Sequence, residues 1–406
     1  RSGQHGGPDP RSIIQFYKDG RMKYSALIMV VWCLVAGCAT PRPIPVIRTL
    51  TANEEEQMLW RQAQEELNAI NASGVLYQDV EIENYLNRIA AKLNANSISP
   101  DFSFQIKVVK DPSLNAFAFP NGVIYIHSGI LARMDNEAQL AALLAHEMVH
   151  CTHRHSLRVL RSIKDRTAAK NDRPPRVREL AQLLGITGSI ASLGGYTREL
   201  ETEADRVGLD LAVKANYDPR EILNLFGLLK QEIELEGVKE PYFFGTHPKV
   251  GQRIENVNNW LAEKYRGKIT GIKNTDVFQS KISRLVLDNA RLDLRQGRFF
   301  VAQRTVEKFL AVKQDDARAY FLLGEVFRQR GRQEDAAAAI KNYEKSISLN
   351  PSFPEPHKAM GLIHYKDGKK RLAKKHFESC MLLSPDTIVR SYIQGYLKLC
   401  VTNGEG

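Results

Sequence analysis

The chain has 406 residues, of which 43% are hydrophobic and 25% are charged, and its formal net charge is +11 at neutral pH. This composition excludes a chain that is disordered throughout, and the length, at about 150 residues per domain, predicts two or three domains. The basic balance would suit nucleic acid or anionic lipid. No nucleic-acid motif and no pattern of interleaved aromatic and basic residues accompanies it, so we expect no nucleic-acid partner.

An apolar run near the start of the chain predicts an export signal. Residues 1–21 lack hydrophobic periodicity and are interpreted as upstream sequence, with Met22 as the start of the signal. The run from Ala26 to Cys38 has 13 residues, too few to cross a bilayer core of about 30 Å. Residues 22–37 therefore predict a secretory signal peptide.

The end of this run resembles a bacterial lipobox. The letters VAGC end at Cys38, which such a motif makes the lipidated first residue of the mature protein, although a chance cysteine is the alternative. Ala39 follows, and its resemblance to the lipoprotein sorting pattern favours the outer membrane. Residues 38–50 are rich in proline and predict an extended tether. We therefore expect a periplasmic lipoprotein that contacts the membrane through acyl chains rather than a spanning helix.

Three cysteines remain beyond the anchor. Cys380 and Cys400 could form a disulfide or stay as thiols, because spacing alone does not fix pairing. Cys151 is expected to be a small buried filler rather than a nucleophile.

The region after residue 50 predicts helices, then strands, then helices again. Apolar residues recur with helical spacing up to about residue 96. The letters FSFQIKVVK (102–110) alternate as a strand does, and Pro120-Asn121-Gly122 predicts a hairpin turn between two further β-rich runs. Residues 136–160 predict one long helix, and a second strong helix starts near Thr197 and stops before Pro219.

From about residue 268 the pattern changes to pairs of helices. Gly297, Gly331 and Gly368 lie at comparable turns, 34 and 37 residues apart. A period near 34 with a glycine turn is typical of tetratricopeptide repeats, which offer a concave surface to peptides or proteins. A generic helical bundle is the alternative.

The letters HEMVH predict a metal site on the long helix. At 3.6 residues per turn, His146 and His150 point to one face and can share a metal ion, and Glu147 lies next to that face. A catalytic site needs a third protein ligand from elsewhere in the fold. On the second strong helix, Glu201 and Asp205 are four residues apart and share a face.

Two further histidines follow the motif. If the helix continues unbroken, His153 and His155 both lie off the face of the pair. Solvated positions, or positions behind the ligands, are therefore predicted for them.

Four segments in this order resemble one family, the zinc metallopeptidases that include the CAAX prenyl protease and the periplasmic BepA-like peptidases with C-terminal tetratricopeptide repeats. The segments are HEMVH (146–150), ETEAD (201–205), NAFAFPNGVIYIHSGIL (115–131) and THPKVGQRI (246–254). The resemblance implies an α+β, mainly helical fold, with a gluzincin-type peptidase domain and small sheet at 51–267 and an all-α repeat domain at 268–404.

The resemblance also implies roles for single residues. It makes His146, His150 and Glu201 the ligands of one Zn²⁺ per chain and Glu147 the general base. It gives Asp205 the role of an acid or of a residue that orients a ligand. His247 matches a histidine that can close the site in some relatives, with a structural loop residue as the alternative.

One strand matches the family's edge strand, where a substrate would bind by β-augmentation; a core strand is the alternative. The residues assigned to it are Asn115, Gly122, Val123, Ile124 and Tyr125.

The predicted function is thus a periplasmic zinc endopeptidase, anchored to the outer membrane, that acts on proteins or unfolded proteins. The resemblance implies quality control or assembly of outer-membrane proteins, with the repeats contacting the assembly machinery. The alternative is a chaperone or assembly adaptor that acts through its repeats and keeps a latent or self-inhibited peptidase site.

Overall fold

The computed structural model describes residues 52–168, 196–236, 250–266, 270–384 and 386–401, all within one compact unit, Thr51–Gly406. The predicted signal peptide, Cys38, the tether and His247 lie outside the described residues. None of the helices described has both the length and the apolar character that a membrane crossing requires.

Two helices open the described chain, α1 (Ala52–Ala72) and α2 (Val80–Asn94). The Asp79 side chain caps α2 by accepting hydrogen bonds from the backbone N–H groups of Glu81 and Ile82. The apolar face of α2, which includes Leu86, is buried in the main core.

A three-stranded sheet follows, formed by β1 (Gln105–Val109), β2 (Ala116–Ala118) and β3 (Val123–His127). Its order is β1-β3-β2, with β3 parallel to β1 and antiparallel to β2. The predicted hairpin is confirmed. Gly122 turns it with a φ of 91°, where a side chain would collide with the Ser103 carbonyl.

The position of β3 corrects the predicted substrate strand. Val123, Ile124 and Tyr125 lie in the central strand, paired on both sides, so their backbone groups are not available to a peptide. The core-strand alternative is correct for them. Asn115 precedes β2, which has no described strand on its outer side.

The predicted long helix is in fact two helices. After α3 (Ser128–Arg133), α4 runs from Glu137 to Thr152 and α5 from His155 to Ala168. Arg154, between them, has a φ of 53°, which no α-helix accommodates. The chain therefore changes direction directly after the HEMVH motif.

Three more helices complete the first part of the unit: α6 (Arg198–Lys214), α7 (Glu221–Glu236) and α8 (Val250–Lys264). Helix α6 packs closely on α4, because a Cβ at Gly208 would lie only 3.0 Å from the backbone nitrogen of His146. Glycine at this point lets the two helices that carry the predicted ligands approach each other.

The remaining helices form the repeats, and the three predicted turn glycines all have a φ between 70° and 76°. The helices are α9 (Thr275–Arg295), α10 (Phe299–Val312), α11 (Ala317–Arg330), α12 (Asp335–Leu349), α13 (Pro354–Lys366), α14 (Lys370–Leu383) and α15 (Thr387–Val401). Phe278 and Ile282 of α9 belong to the same core cluster as Leu144 of α4, so the first repeat packs on the earlier helices. Cys380 and Cys400 are both free, buried thiols.

Candidate metal centre

Helices α4 and α6 bring His146, His150 and Glu201 together inside the protein. One donor atom from each lies within 4.8 Å of the others. The two Nε2 atoms are 3.0 Å apart, and the Glu201 carboxylate oxygens lie 3.6 Å from Nε2 of His146 and 3.5 Å from Nε2 of His150. Two nitrogens bound to one tetrahedral zinc ion at about 2.0–2.1 Å are about 3.3 Å apart. The three side chains therefore have the spacing of a metal-binding set.

The other ring nitrogen of each histidine also has a partner. Nδ1 of His146 lies 3.0 Å from an Asp205 oxygen, and Nδ1 of His150 lies 2.8 Å from Nδ1 of His155. Burial lowers the pKa of His155 to about 4, so its ring is neutral at neutral pH and its Nδ1 can accept a hydrogen bond from the Nδ1–H of His150. With both Nδ1 atoms protonated, the two Nε2 lone pairs face Glu201, as metal binding requires.

Comparison with known proteins places this centre in a family. Residues 78–261 match the family model described as "Peptidase family M48". This part of the chain belongs to peptidase family M48. Residues 287–351 match a tetratricopeptide repeat model, so the M48 domain is followed by tetratricopeptide repeats as predicted.

Relatives of the M48 domain occur in fungi and bacteria. The chain is 32% identical to "Mitochondrial metalloendopeptidase OMA1" of Schizosaccharomyces pombe, over 44% of this chain and 53% of the relative. It is 29% identical to "Beta-barrel assembly-enhancing protease" of Yersinia pestis, over 47% of this chain and 41% of the relative. It is 25% identical to the protein of the same name in Escherichia coli K12, over 66% of this chain and 59% of the relative. The chain thus spans about half the length of these relatives.

A buried arginine of the M48 domain completes the centre. Arg253, on α8, donates from Nε and Nη2 to the two oxygens of Asp205 at 2.8 and 2.7 Å, and its Nη1 lies 3.4 Å from Glu201. Burial raises the pKa of Asp205, but the Arg253 charge and the hydrogen bond with His146 outweigh it and hold that pKa well below its usual range. Arg253 therefore fixes the carboxylate that orients His146.

The charges of the M48 centre favour a divalent cation. Glu147, Glu201, Asp205 and Arg253 are each at most 4% exposed. Among the described side chains of the centre, three carboxylates face one guanidinium, and buried carboxylates are costly without compensating positive charge. A divalent ion at the three donor atoms would supply such charge. The donor set, two imidazoles and one carboxylate, is one that zinc accepts at catalytic sites.

Glu147 and Asp205 both lie at the centre, as the sequence predicts. Glu147 is buried one position after His146, and its charge acts on Cys151, Tyr196 and Arg253. Cys151 is a buried thiol whose pKa is raised by burial and by Glu147, which suits a filler rather than a nucleophile.

Of the two positions predicted for His155, the one behind a ligand is the one it occupies, since it is fully buried against His150. Two other residues of the centre had no predicted role, and the first is Tyr196, which stacks on the His150 ring with centroids 3.8 Å apart. Arg253 lies in the segment THPKVGQRI, whose match to the family already marked it, although no role was assigned. His153 is partly exposed, 4.0 Å from Glu203.

The edge strand β2 lies beside the centre, packed on α4. Backbone hydrogen bonds join β3 to Asn115 and Phe119. Because pairing alternates along an antiparallel strand, the backbone groups of Ala116 and Ala118 point to the outer side. The edge open to a substrate strand, among the strands described, is therefore that of β2.

Proposed function

We propose that the chain is a zinc-dependent endopeptidase, with His146, His150 and Glu201 as metal ligands and Glu147 as general base. The observation that supports this most strongly is the buried centre, in which three donor atoms converge and carboxylates outnumber the one guanidinium among the described side chains. The relatives named as metalloendopeptidases support the same activity.

A bound zinc ion would supply a Lewis acid and lower the pKa of a water molecule toward about 7. Glu147, one helix position after His146, would act as the general base and would return the proton it takes to the leaving amine. Asp205 keeps Nδ1 of His146 protonated, and His155 does the same for His150, so that both Nε2 atoms stay available as ligands. The role of these two residues is to position the ligands.

We infer that the substrate binds in extended form along β2. The outward backbone groups of Ala116 and Ala118 can pair with a peptide strand, and such pairing recognises the main chain rather than particular side chains. This suits an enzyme that acts on unfolded proteins of varied sequence. It replaces the predicted placement of the substrate on β3.

We further propose a lipid-anchored periplasmic location and protein partners. The lipobox-like sequence at Cys38 supports a lipid anchor, and the relatives named as beta-barrel assembly-enhancing proteases support a periplasmic protein that acts in outer-membrane protein assembly. The tetratricopeptide repeats offer the surface for substrates or for the assembly machinery. Cys38→Ser should release the protein from membranes during fractionation; a variant that stays membrane-bound contradicts the anchor.

The decisive experiment compares Glu147→Gln with Glu199→Gln. Glu199 lies on α6 but is exposed, so it serves as a matched control. Glu147→Gln should retain zinc, measured by elemental analysis, and lose about 100-fold or more of its rate on an unfolded protein substrate. Glu199→Gln should keep both its zinc content and its cleavage rate. A zinc-loaded Glu147→Gln variant that cleaves as fast as the parent would refute the peptidase and favour an adaptor that acts through its repeats.

A further inference from the structure

The last described helix, α15, carries an apolar stripe on its exposed surface. Ile388, Tyr392 and Leu399 are 79%, 50% and 49% exposed. With Gly395 they are spaced four, three and four residues apart, so the four positions lie on one face of the helix. Single exposed apolar residues are common on protein surfaces, but a continuous apolar stripe marks an interaction surface.

The stripe is separate from the face by which α15 packs on its own repeat. Ile393 and Cys400 of α15 are buried in a cluster with Phe377 of α14. They lie roughly 120–140° around the helix from Ile388. The packing on α14 therefore leaves the stripe open to a partner.

The earlier repeats show what packs against a glycine at the position of Gly395. Gly324 of α11, Gly361 of α13 and Gly395 follow one another at 37 and 34 residues, which is the spacing of the repeats. A Cβ at Gly324 or Gly361 would come within 2.5 Å of an aromatic ring, Tyr343 or Phe377, on the next antiparallel helix. Around Gly395, among the described residues, that space is open.

Helix α11 shows the same use for the rest of the stripe. Phe321 and Ala317 are the equivalents in α11 of Tyr392 and Ile388. The Phe321 ring lies 5.9 Å from the Tyr343 ring of α12, and the Ala317 carbonyl accepts a hydrogen bond from α12. The stripe of α15 thus corresponds to the face of α11 that contacts an antiparallel helix.

The order of residues in the stripe makes it complementary to itself. In an antiparallel pair of two α15 helices, centred between positions 393 and 394, Ile388 lies opposite Leu399 and Tyr392 lies opposite Gly395. Both contacts occur twice, as a two-fold axis requires. A parallel pair would instead place Tyr392 against Tyr392 and Gly395 against Gly395. Only the antiparallel pair sets a large side chain against a small one at both places.

The charges of α15 are compatible with this pairing. The helix has two charged residues, Arg390 and Lys398, and both lie outside the stripe. In the antiparallel pair the two copies of Lys398, which is the nearer to the stripe, are about 13 Å apart along the helix axis. That exceeds the Debye length of about 8 Å at physiological ionic strength. The pairing therefore opposes no like charges at close range.

We propose that the stripe of α15 binds a second copy of this chain. The two α15 helices pair antiparallel, and Tyr392 of each chain packs on Gly395 of the other. One pair of 15-residue helices buries less than the about 1,200 Å² of a standard interface, so the dimer is weak, with a dissociation constant of about 10–100 μM. The M48 centre takes no part in the contact, so dimerisation is independent of peptidase activity.

The test is sedimentation velocity on the full chain carrying Cys38→Ser, from about 1 to 300 μM, where the protein should pass from monomer to dimer. Gly395→Tyr should weaken the dimer about tenfold or more, because the new ring meets Tyr392 of the second chain. Gln394→Tyr is the matched control, since Gln394 is exposed but lies off the stripe, and it should change nothing. A parent that stays monomeric throughout, or equal dimerisation by the two variants, would overturn the proposal.

Two measurements separate the contact from a folding defect. Gly395→Tyr should keep the cleavage rate per chain and the helix content of the parent, because the space around Gly395 is open. Adding Tyr392→Ala to Gly395→Tyr exchanges the large and the small position, so the double variant should dimerise to within about threefold of the parent. A double variant no better than Gly395→Tyr alone would overturn the antiparallel pairing.

Discussion

Replacing Arg253 with methionine should make the M48 domain depend on its metal ion. Methionine keeps an unbranched side chain next to Phe226, whose ring lies 4.7 Å from the guanidinium carbon. It removes the only cation that contacts Asp205 and Glu201 in the part of the chain described. Without metal, the described side chains of the centre would then include three carboxylates and no guanidinium.

The magnitude follows from the burial of this ion pair. Removing one partner of a buried pair costs about 3–5 kcal/mol, because the remaining charge has lost its compensation. In a domain of this size, each kcal/mol shifts the unfolding midpoint by about 2–4 °C. The midpoint of Arg253→Met should therefore fall by about 6–20 °C in the presence of a chelator. Zn²⁺ should recover part of the loss, since it places positive charge beside the same carboxylates.

The assay is thermal unfolding of the full chain with chelator and with Zn²⁺, and Arg158→Met is the matched control. Arg158 donates to Glu203 at 2.7 Å, but both side chains are partly exposed. An exposed pair contributes about 0–1 kcal/mol, so the control should shift the midpoint little and to the same extent with or without zinc. Equal losses in the two variants, or a loss in Arg253→Met that zinc does not reduce, would refute the role of Arg253 as the buried counter-charge.

Three other predictions concern the metal, the repeats and the edge strand. A chelator should lower the unfolding midpoint of the parent protein, and Zn²⁺ at about 100 times its dissociation constant should restore about 2.7 kcal/mol; a midpoint insensitive to the chelator would exclude a bound ion. Gly361→Ala should cost about 1–3 kcal/mol in a urea titration, because its Cβ meets Phe377. Gly395→Ala, with open space around it, should instead stabilise α15 by about 0.5–1 kcal/mol, and equal effects would contradict the packing described. Ala118→Pro removes an outward N–H and should slow cleavage of an unfolded substrate about fivefold to tenfold at unchanged zinc content; unchanged cleavage would exclude β2 as the substrate strand.

Local spacing alone was enough to predict much of the centre and of the repeats. His146 and His150 share a face because an α-helix repeats every 3.6 residues, and Glu201 and Asp205 do so for the same reason. The glycines at the repeat turns could be recognised because left-handed backbone favours glycine wherever it occurs. These features depend on residues close in sequence, so they can be predicted without knowledge of the fold.

The packing around the ligands could not be predicted in this way. The prediction for His155 assumed an unbroken helix, but the helix ends before Arg154, whose backbone is left-handed. Because the next helix starts in a new direction, the His155 ring lies against the His150 ring. The alternation of the β3 residues predicts a strand, yet it does not say which strands lie on either side. Pairing on both sides is what excludes β3 as the substrate strand.

The sequence by itself predicted the candidate ligands of the M48 centre, and it determined the repeat architecture that follows. Only the tertiary structure decided which residues orient the candidate ligands and which cation lies beside their carboxylates. Arg253 lies 48 residues from Asp205 in the chain, on another helix. Contacts of this kind depend on how helices pack side by side, and the residue spacing within one helix carries no information about its neighbours.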